Sequence, residues 1–469
     1  MTYALSKGPR FGVRHTQTFL LFYAIAVEYY GRSSIGMSLV AMTHAASTNP
    51  DFPEFPWGQM EKSIILICFL AGYTSTQAPG GFFSHKYGAK RMALIAIIGF
   101  TAIQVISPVI VTELGMIAFC IARFIQGLFQ GLLFPAVHGH LAKWTPKDEM
   151  TLLGALSHTG LDFGNVLAMG ATGLIASSNW GWPGISYFGA IFGFGWFVLF
   201  FIWGEESPET SKRISEEERH YILSSQKADG TVTEQLKTPY KAMFKSWPFW
   251  AFFFGKCSET WGYSIQLEQV PTYMHSVLGF DIKSNALFSS LPYVGTWILS
   301  YIYIIIVMYL LKRNVSLTWI RKFFASWASF IPAACFIAVG CLRVDQTNAA
   351  IALLIVSGCV QSAAVIGMLL NTLDLAPNFS DVVMGTANGP ANLINIFNPL
   401  IVALVVTDEY NQGQWNVIFF ITAGVFIFGN MVYLIYGKMT VQPWNSPDFG
   451  KEKTKDVQLE NNKDAKVEN

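Results

Sequence analysis

Long, mostly apolar runs recur along almost the whole chain, the first from Gln17 to Thr43. Each approaches or exceeds the roughly 20 residues that a helix needs to cross a bilayer. In lipid the backbone must satisfy its own polar groups, so each run is a helix rather than a strand with open edges. The composition agrees: 52% of residues are hydrophobic and 13% charged, where a soluble domain carries about 25% charged residues. We read twelve spans, near 17–43, 62–83, 92–112, 115–142, 151–177, 182–204, 247–276, 284–311, 321–342, 347–373, 383–407 and 414–437. Periodicity adds little, because membrane helices are apolar nearly all round. The first run is too long for a signal-peptide core and is expected to stay as a span.

Charge sets the orientation. Of the 31 Lys and Arg, Lys62, Lys283 and Arg343 fall in loops on one side, and Arg32, Arg123 and Lys256 fall inside spans. The rest lie in the N-terminus, the opposite loops, the central loop and the tail. By the positive-inside rule both termini are cytoplasmic. A net charge of +1 gives no footing for a nucleic-acid partner. The six cysteines show no metal-ligand spacing and no pairing pattern, so no metal and no cofactor is expected. The sequons at Asn314 and Asn378 fall in loops assigned to the cytoplasm and are expected to stay unused.

The longest interior loop, 205–246, splits the chain into a bundle over 1–204 and a second over 247–437. Within it Ser215 precedes Glu218 by three residues, a capping box that predicts a short surface helix. The tail, 438–469, is polar and is expected to be disordered. The second span ends in Pro79, Gly80 and Gly81, followed by a basic turn with His85, Lys86, Lys90 and Arg91. Such a Gly-rich end suits a gate where helices slide, and Pro79 is expected to loosen or break the helix there.

The second-to-third loop resembles that of the major facilitator superfamily. The ordered run of GY..TQ.PGG, R..QGL..G..FPA.H....W.P, IS..ER, PTY, N..D.AP and G..N resembles the anion:cation symporter family. That family holds sialin, the vesicular glutamate transporters and the sodium–phosphate cotransporters, and the first span is most similar to its insect members. The resemblance implies an all-α membrane protein of twelve transmembrane helices in two pseudo-symmetric six-helix bundles, with a midplane site and alternating access.

Six ionisable groups inside spans carry the functional reading: Arg32, Arg123, Lys256, Glu28, Asp162 and Glu259. Unpaired at the midplane each costs about 2.5–3.5 kcal/mol, so they are expected to pair or to face a wet cavity. Arg32 and Arg123 match the arginines of the first and fourth helices, which the resemblance implicates in binding the anionic substrate. A guanidinium suits a carboxylate or phosphate because it forms two parallel hydrogen bonds and stays charged. The alternative for Arg32 is neutralisation by Glu28, four residues earlier on the same helix face. The alternative for Arg123 is a charge tied to backbone carbonyls.

Gln126 and Gln130 stand where sialin-like sequences carry two glutamates linked to proton coupling, so the family's usual proton site is missing. Glu259 and Leu66 stand where vesicular glutamate transporters carry an arginine and a histidine, which weighs against glutamate transport. Coupling candidates are Glu28, whose protonation would free Arg32 for an anion, and His158 with Asp162, four residues apart on one face. Lys256 and Glu259, three apart, are read as a self-neutralising pair with Glu259 kept as a coupling candidate. His138, Asn388 and Asn392 are candidate substrate contacts, with Asn395 on the same polar stripe. Gly80, Gly81, Lys90, Arg91 and Asp374 are candidate gating residues.

These readings converge on a monomeric secondary transporter of a small anion, inorganic phosphate or an organic acid. The coupling ion is sodium or a proton, with sodium favoured by Gln126 and Gln130. The plasma membrane is favoured, with lysosomal or vesicular membranes as the alternative for a sialin-like proton/organic-acid exporter. An anion channel or a non-transporting sensor on the same scaffold is the alternative of another class. No enzyme is expected, since no nucleophile–base arrangement is present.

Overall fold

The computed structural model describes residues 8–43, 49–228, 236–279, 282–343 and 346–449, and omits the side chains of 59, 268, 282–290, 395 and 396. Twelve long helical segments follow one another. They are α1 (Val13–Thr43), α2 (Gln59–Tyr87), α3 (Ala89–Val109), α4 (Gly115–Gln130, continuing as Leu133–Trp144), α5 (Met150–Ala176) and α6 (Gly181–Trp203). The second six are α7 (Trp247–Ser264, continuing as Val270–Ser276), α8 (Ile282–Lys312), α9 (Leu317–Cys341), α10 (Thr347–Val360, continuing to Asn371–Leu375), α11 (Ser380–Val405) and α12 (Gln412–Tyr436). The expected spans and these helices agree to within a few residues.

Among the described residues, seven segments pass as membrane-crossing by length and apolarity alone, and the segment Ala89–Trp144 takes in both α3 and α4. The four helices that do not pass are α1, α2, α5 and α7. They carry Arg32, Tyr73, Asp162 and Lys256, which line the central cavity. Polar content lowers their hydropathy because one side of each faces a wet cavity instead of lipid.

Two helices break at equivalent places in the two halves. In α4 the helix yields at Gly131 and Leu132, just before Pro135. The ring of Pro135 cannot donate to the carbonyl four residues back and clashes with it. In α10 the break falls at Gln361 and Ser362 and is followed by a π-helical turn over Val365–Leu369. Discontinuous helices in corresponding positions mark the repeat structure of such bundles. α2, by contrast, runs unbroken through Pro79, contrary to expectation. Neighbouring helices hold a Pro-containing helix together where water cannot enter.

Within the first half α1 packs along α5, and α2 along α4; within the second, α9 and α7 pack along α12. The two halves meet where α11 lies along α2 and α8 along α5. The surface helix Glu216–Ala228 forms as expected, with Ser215 Oγ accepting from the Glu218 amide at 3.2 Å. Glu218 itself does not close the box. Its carboxylate accepts from the amides of Val13 (2.9 Å) and Arg14 (3.1 Å) and from Arg14 Nη1 (2.9 Å), so it caps α1 instead.

The tail also departs from expectation over its first part. Residues 438–449 are folded against the second half: the Gln442 amide donates to Leu375 O at 2.9 Å, and the Asn378 amide to Asn445 Oδ1 at 2.9 Å. Trp444 is buried against Phe379. Residues 450–469 lie outside the described residues.

Candidate functional site

Between the halves lies a cavity of about 1000 Å³, its open mouth included. Its walls come from α1 (Tyr29, Arg32), α2 (Tyr73), α4 (Phe134), α5 (His158, Asp162), α7 (Lys256, Glu259, Tyr263), α8 (Tyr293, Thr296), α10 (Gln361, Ser362) and α11 (Asn388, Asn392). The α10 break therefore opens directly onto it, which fits the frequency of π-helical turns at functional sites.

Charges in this cavity differ in how they are satisfied. Lys256 Nζ sits 2.6 Å from Glu259 Oε2, the pair that their spacing predicted. Asp162 Oδ2 accepts from Ser300 Oγ at 2.8 Å, a bond from α5 to α8 across the halves. Arg32 has neither an ion pair nor a hydrogen bond among the described residues. Its guanidinium instead stacks over the rings of Tyr73 (5.4 Å) and Tyr29 (5.9 Å). Aromatic faces attract a cation while leaving its N–H donors free for a ligand.

Glu28 does not neutralise Arg32 by a close ion pair, although the two stand four residues apart. Its carboxyl is fully buried; among the described residues its oxygens meet only the Tyr73 side chain, at marginal hydrogen-bond geometry, and Arg32 is the cation that acts on it. His158 and Asp162 line the same cavity without bonding to each other. His158 Nδ1 bonds to Gly154 O at 2.8 Å, and its Nε2 is unpartnered. The expected pair fails because helical spacing sets a shared face but not the rotamers on it.

Arg123 is the clearest correction. It does not reach the cavity: it is buried inside the first half over the ring of Phe69, at 4.5 Å, and donates to Gln126 Oε1. Gln130 donates to Glu28 O at 2.9 Å. Both amides thus work inside the bundle. His138 also stays off the cavity wall. It is buried, with Nδ1 2.8 Å from Thr372 Oγ1 and its carbonyl accepting from Ser380 Oγ at 3.1 Å. It joins α4 to α10 and α11 and so belongs to the seal between the halves.

That seal lies on the side of the central loop, at the ends of even-numbered and the starts of odd-numbered helices. A Cβ added at Gly81 would stand 2.6 Å from Asp381 O, and one at Gly385 2.3 Å from Gln77 O. Only glycine lets α2 and α11 approach so closely. Gly80 packs on Leu132 of α4. His85 stands 3.8 Å from Asp381. Asp374 pairs with Arg321, Nε to Oδ2 at 2.8 Å, and Arg321 Nη2 reaches Thr151 Oγ1 of the first half at 3.3 Å. Arg321 is fully buried in α9, although the charge count left it among the loop residues. Lys90 and Arg91 take no part in the seal. The Lys90 amide bonds to Glu206 Oε2 at 3.1 Å, capping α3, and Arg91 is exposed. Among the described residues no cluster of three or more His, Cys, Asp or Glu is placed to hold a metal.

Two helical halves enclosing a charged cavity, sealed on one side, define a multi-pass membrane carrier. Residues 21–397 match the Major Facilitator Superfamily. The chain is 33% identical over 459 residues to a "Putative inorganic phosphate cotransporter" of Drosophila ananassae, covering 92% of this chain and 94% of the relative. It is 29% identical over 453 residues to sialin of Homo sapiens, covering 92% and 90%. The fold matches the proton:xylose symporter XylE bound to 6-bromo-6-deoxy-D-glucose, with a TM-score of 0.70 at 16% identity over 90% of this chain and 95% of that one. The chain belongs to the major facilitator superfamily and, within it, to the anion:cation symporter family. It is an integral membrane transporter, not an enzyme.

Proposed function

We propose that this transporter carries a small anion, inorganic phosphate or an organic acid, by alternating access. One observation carries the reading: Arg32 faces the cavity with its charge and its N–H donors uncommitted. A carboxylate or phosphate would take those donors in a bidentate, charge-assisted contact. Asn388 and Asn392 of α11, on the same cavity wall, offer further amides to the cargo. Relatives named as phosphate cotransporters and as sialin support an anion, and the aromatic walls suit the body of an organic acid. The sealed central-loop side supports alternation about the α2–α11 and α5–α8 contacts. Coupling is by symport with sodium or protons. Both termini face the cytoplasm, the protein works as a monomer, and the plasma membrane is its site.

The test is uptake into proteoliposomes of labelled phosphate, sialate and glutamate under separate sodium and pH gradients. Saturable uptake with counterflow, abolished by Arg32→Ala in a protein that still melts cooperatively, is expected. Non-saturating flux points to a channel, and binding without flux to a sensor. Saturable uptake that persists in Arg32→Ala overturns the assignment. A sialin-like proton/organic-acid exporter remains the second reading, supported by the human relative.

A further inference from the structure

Glu28 is completely buried on α1; among the described residues it has no ion pair, and its oxygens meet only the Tyr73 side chain, at marginal hydrogen-bond geometry. A buried carboxylate without a charged partner is among the costliest groups a protein can hold, and a group so poorly satisfied calls for an explanation. Protonation removes the charge.

The surroundings define what happens when the proton leaves. Arg32 on the same helix is the nearest cation. Tyr73 of α2 lies beside Glu28 and also lines the cavity, so it links the carboxyl to that space. From α4, Gln130 bonds to the Glu28 carbonyl and leaves the side chain alone. From α5, His158 and Asp162 lie on the cavity wall, with Asp162 engaged by Ser300. α3 and α6 meet the neighbouring residues Gly31 and Tyr30 with Phe100, Phe188 and Phe192, none of which titrates. Arg32 is thus the group that answers to the charge on Glu28.

We propose that Glu28 holds the coupled proton of this transporter and competes with the cargo for Arg32. The inference rests on the anion reading above. With Glu28 protonated, Arg32 is free and the anion binds. A proton that leaves Glu28 by way of Tyr73 to the cavity water leaves behind a carboxylate, which draws the guanidinium away and releases the anion. One proton and one anion therefore move together, with no bond made or broken beyond that O–H. This places the proton site on the first helix, where a carboxyl is present, while the fourth helix has amides, Gln126 and Gln130, at the positions where sialin-like sequences carry glutamates.

Two measurements test it. In proteoliposomes that accumulate labelled phosphate, sialate or glutamate, one coupled proton lets each unit of pH gradient sustain roughly tenfold accumulation. Glu28→Gln should lose that dependence and Glu28→Asp should keep it. Accumulation by Glu28→Gln that still follows the pH gradient overturns the proposal. Infrared difference titration of the purified protein without cargo gives an answer that does not depend on transport. The wild type should show a protonated-carboxyl band that Glu28→Gln lacks, and an unchanged spectrum overturns the proton site. If wild type moves none of the three anions, the transport reading fails while the infrared result still decides Glu28.

Discussion

Replacing Gly385 by alanine perturbs the seal without touching any charged group. The added methyl would lie 2.3 Å from the carbonyl oxygen of Gln77 on α2, which is backbone and cannot swing aside. Overpacking of this kind costs about 1–3 kcal/mol. The gain in helix propensity from glycine to alanine, about 1 kcal/mol, applies to both orientations of the carrier and cancels. The strain is felt only where α2 and α11 touch, so it acts as a free-energy difference between states. A difference of about 1–3 kcal/mol shifts the population some 5–150-fold toward the state open on the central-loop side. A reporter reads this directly. Ser380 is buried at the seal, with its hydroxyl on His138 O, so Ser380→Cys is nearly isosteric and reacts only when the seal opens. Alkylation of that cysteine should be faster by a similar factor in the Gly385→Ala background. An unchanged rate would refute the claim that this contact holds the carrier shut.

Other consequences are more local. Arg321→Met strands the buried carboxylate of Asp374, and breaking such a pair costs about 3–5 kcal/mol. The melting temperature should drop clearly, and Arg321→Met with Asp374→Asn should recover part of the loss; equal melting of wild type and single variant would contradict the pairing. Trp444→Ala removes a large buried side chain anchoring 438–449, with a core-type cost of about 3–5 kcal/mol. Limited proteolysis should then cut this segment faster while α12 stays intact. Ser300→Ala deletes the bond to Asp162, worth about 0.5–1.5 kcal/mol, and should weaken the α5–α8 contact, read as faster alkylation of the same Ser380→Cys reporter.

The spans were legible because length and apolarity act residue by residue, and the order of motifs carried the superfamily. The direction in which a side chain points was not. Arg32 and Arg123 look alike as arginines in apolar runs, yet one faces the cavity and the other is enclosed over Phe69. A helix that is apolar nearly all round gives no sign of its rotation. Arg321 was counted with the loop charges because it lies near the start of α9, while its partner Asp374 lies far along the chain. The docking of 438–449 was hidden because its partners, Leu375, Asn378 and Phe379, lie some sixty residues earlier in the chain, and a polar stretch gives no sign of such distant contacts. Lys256 and Glu259 were readable because both partners stand on one helix at contact spacing.

The central claim is that Arg32, and not Arg123, receives the anion. Equilibrium binding of the labelled anion that the wild type accumulates, measured on purified protein carrying Arg32→Ala or Arg123→Met, tests it most directly. Charge-assisted hydrogen bonds are worth about 1.5–3 kcal/mol, so Arg32→Ala should weaken binding roughly tenfold to a hundredfold, while Arg123→Met, if it folds, should bind within a few-fold of wild type. Binding lost in Arg123→Met and kept in Arg32→Ala would contradict the account.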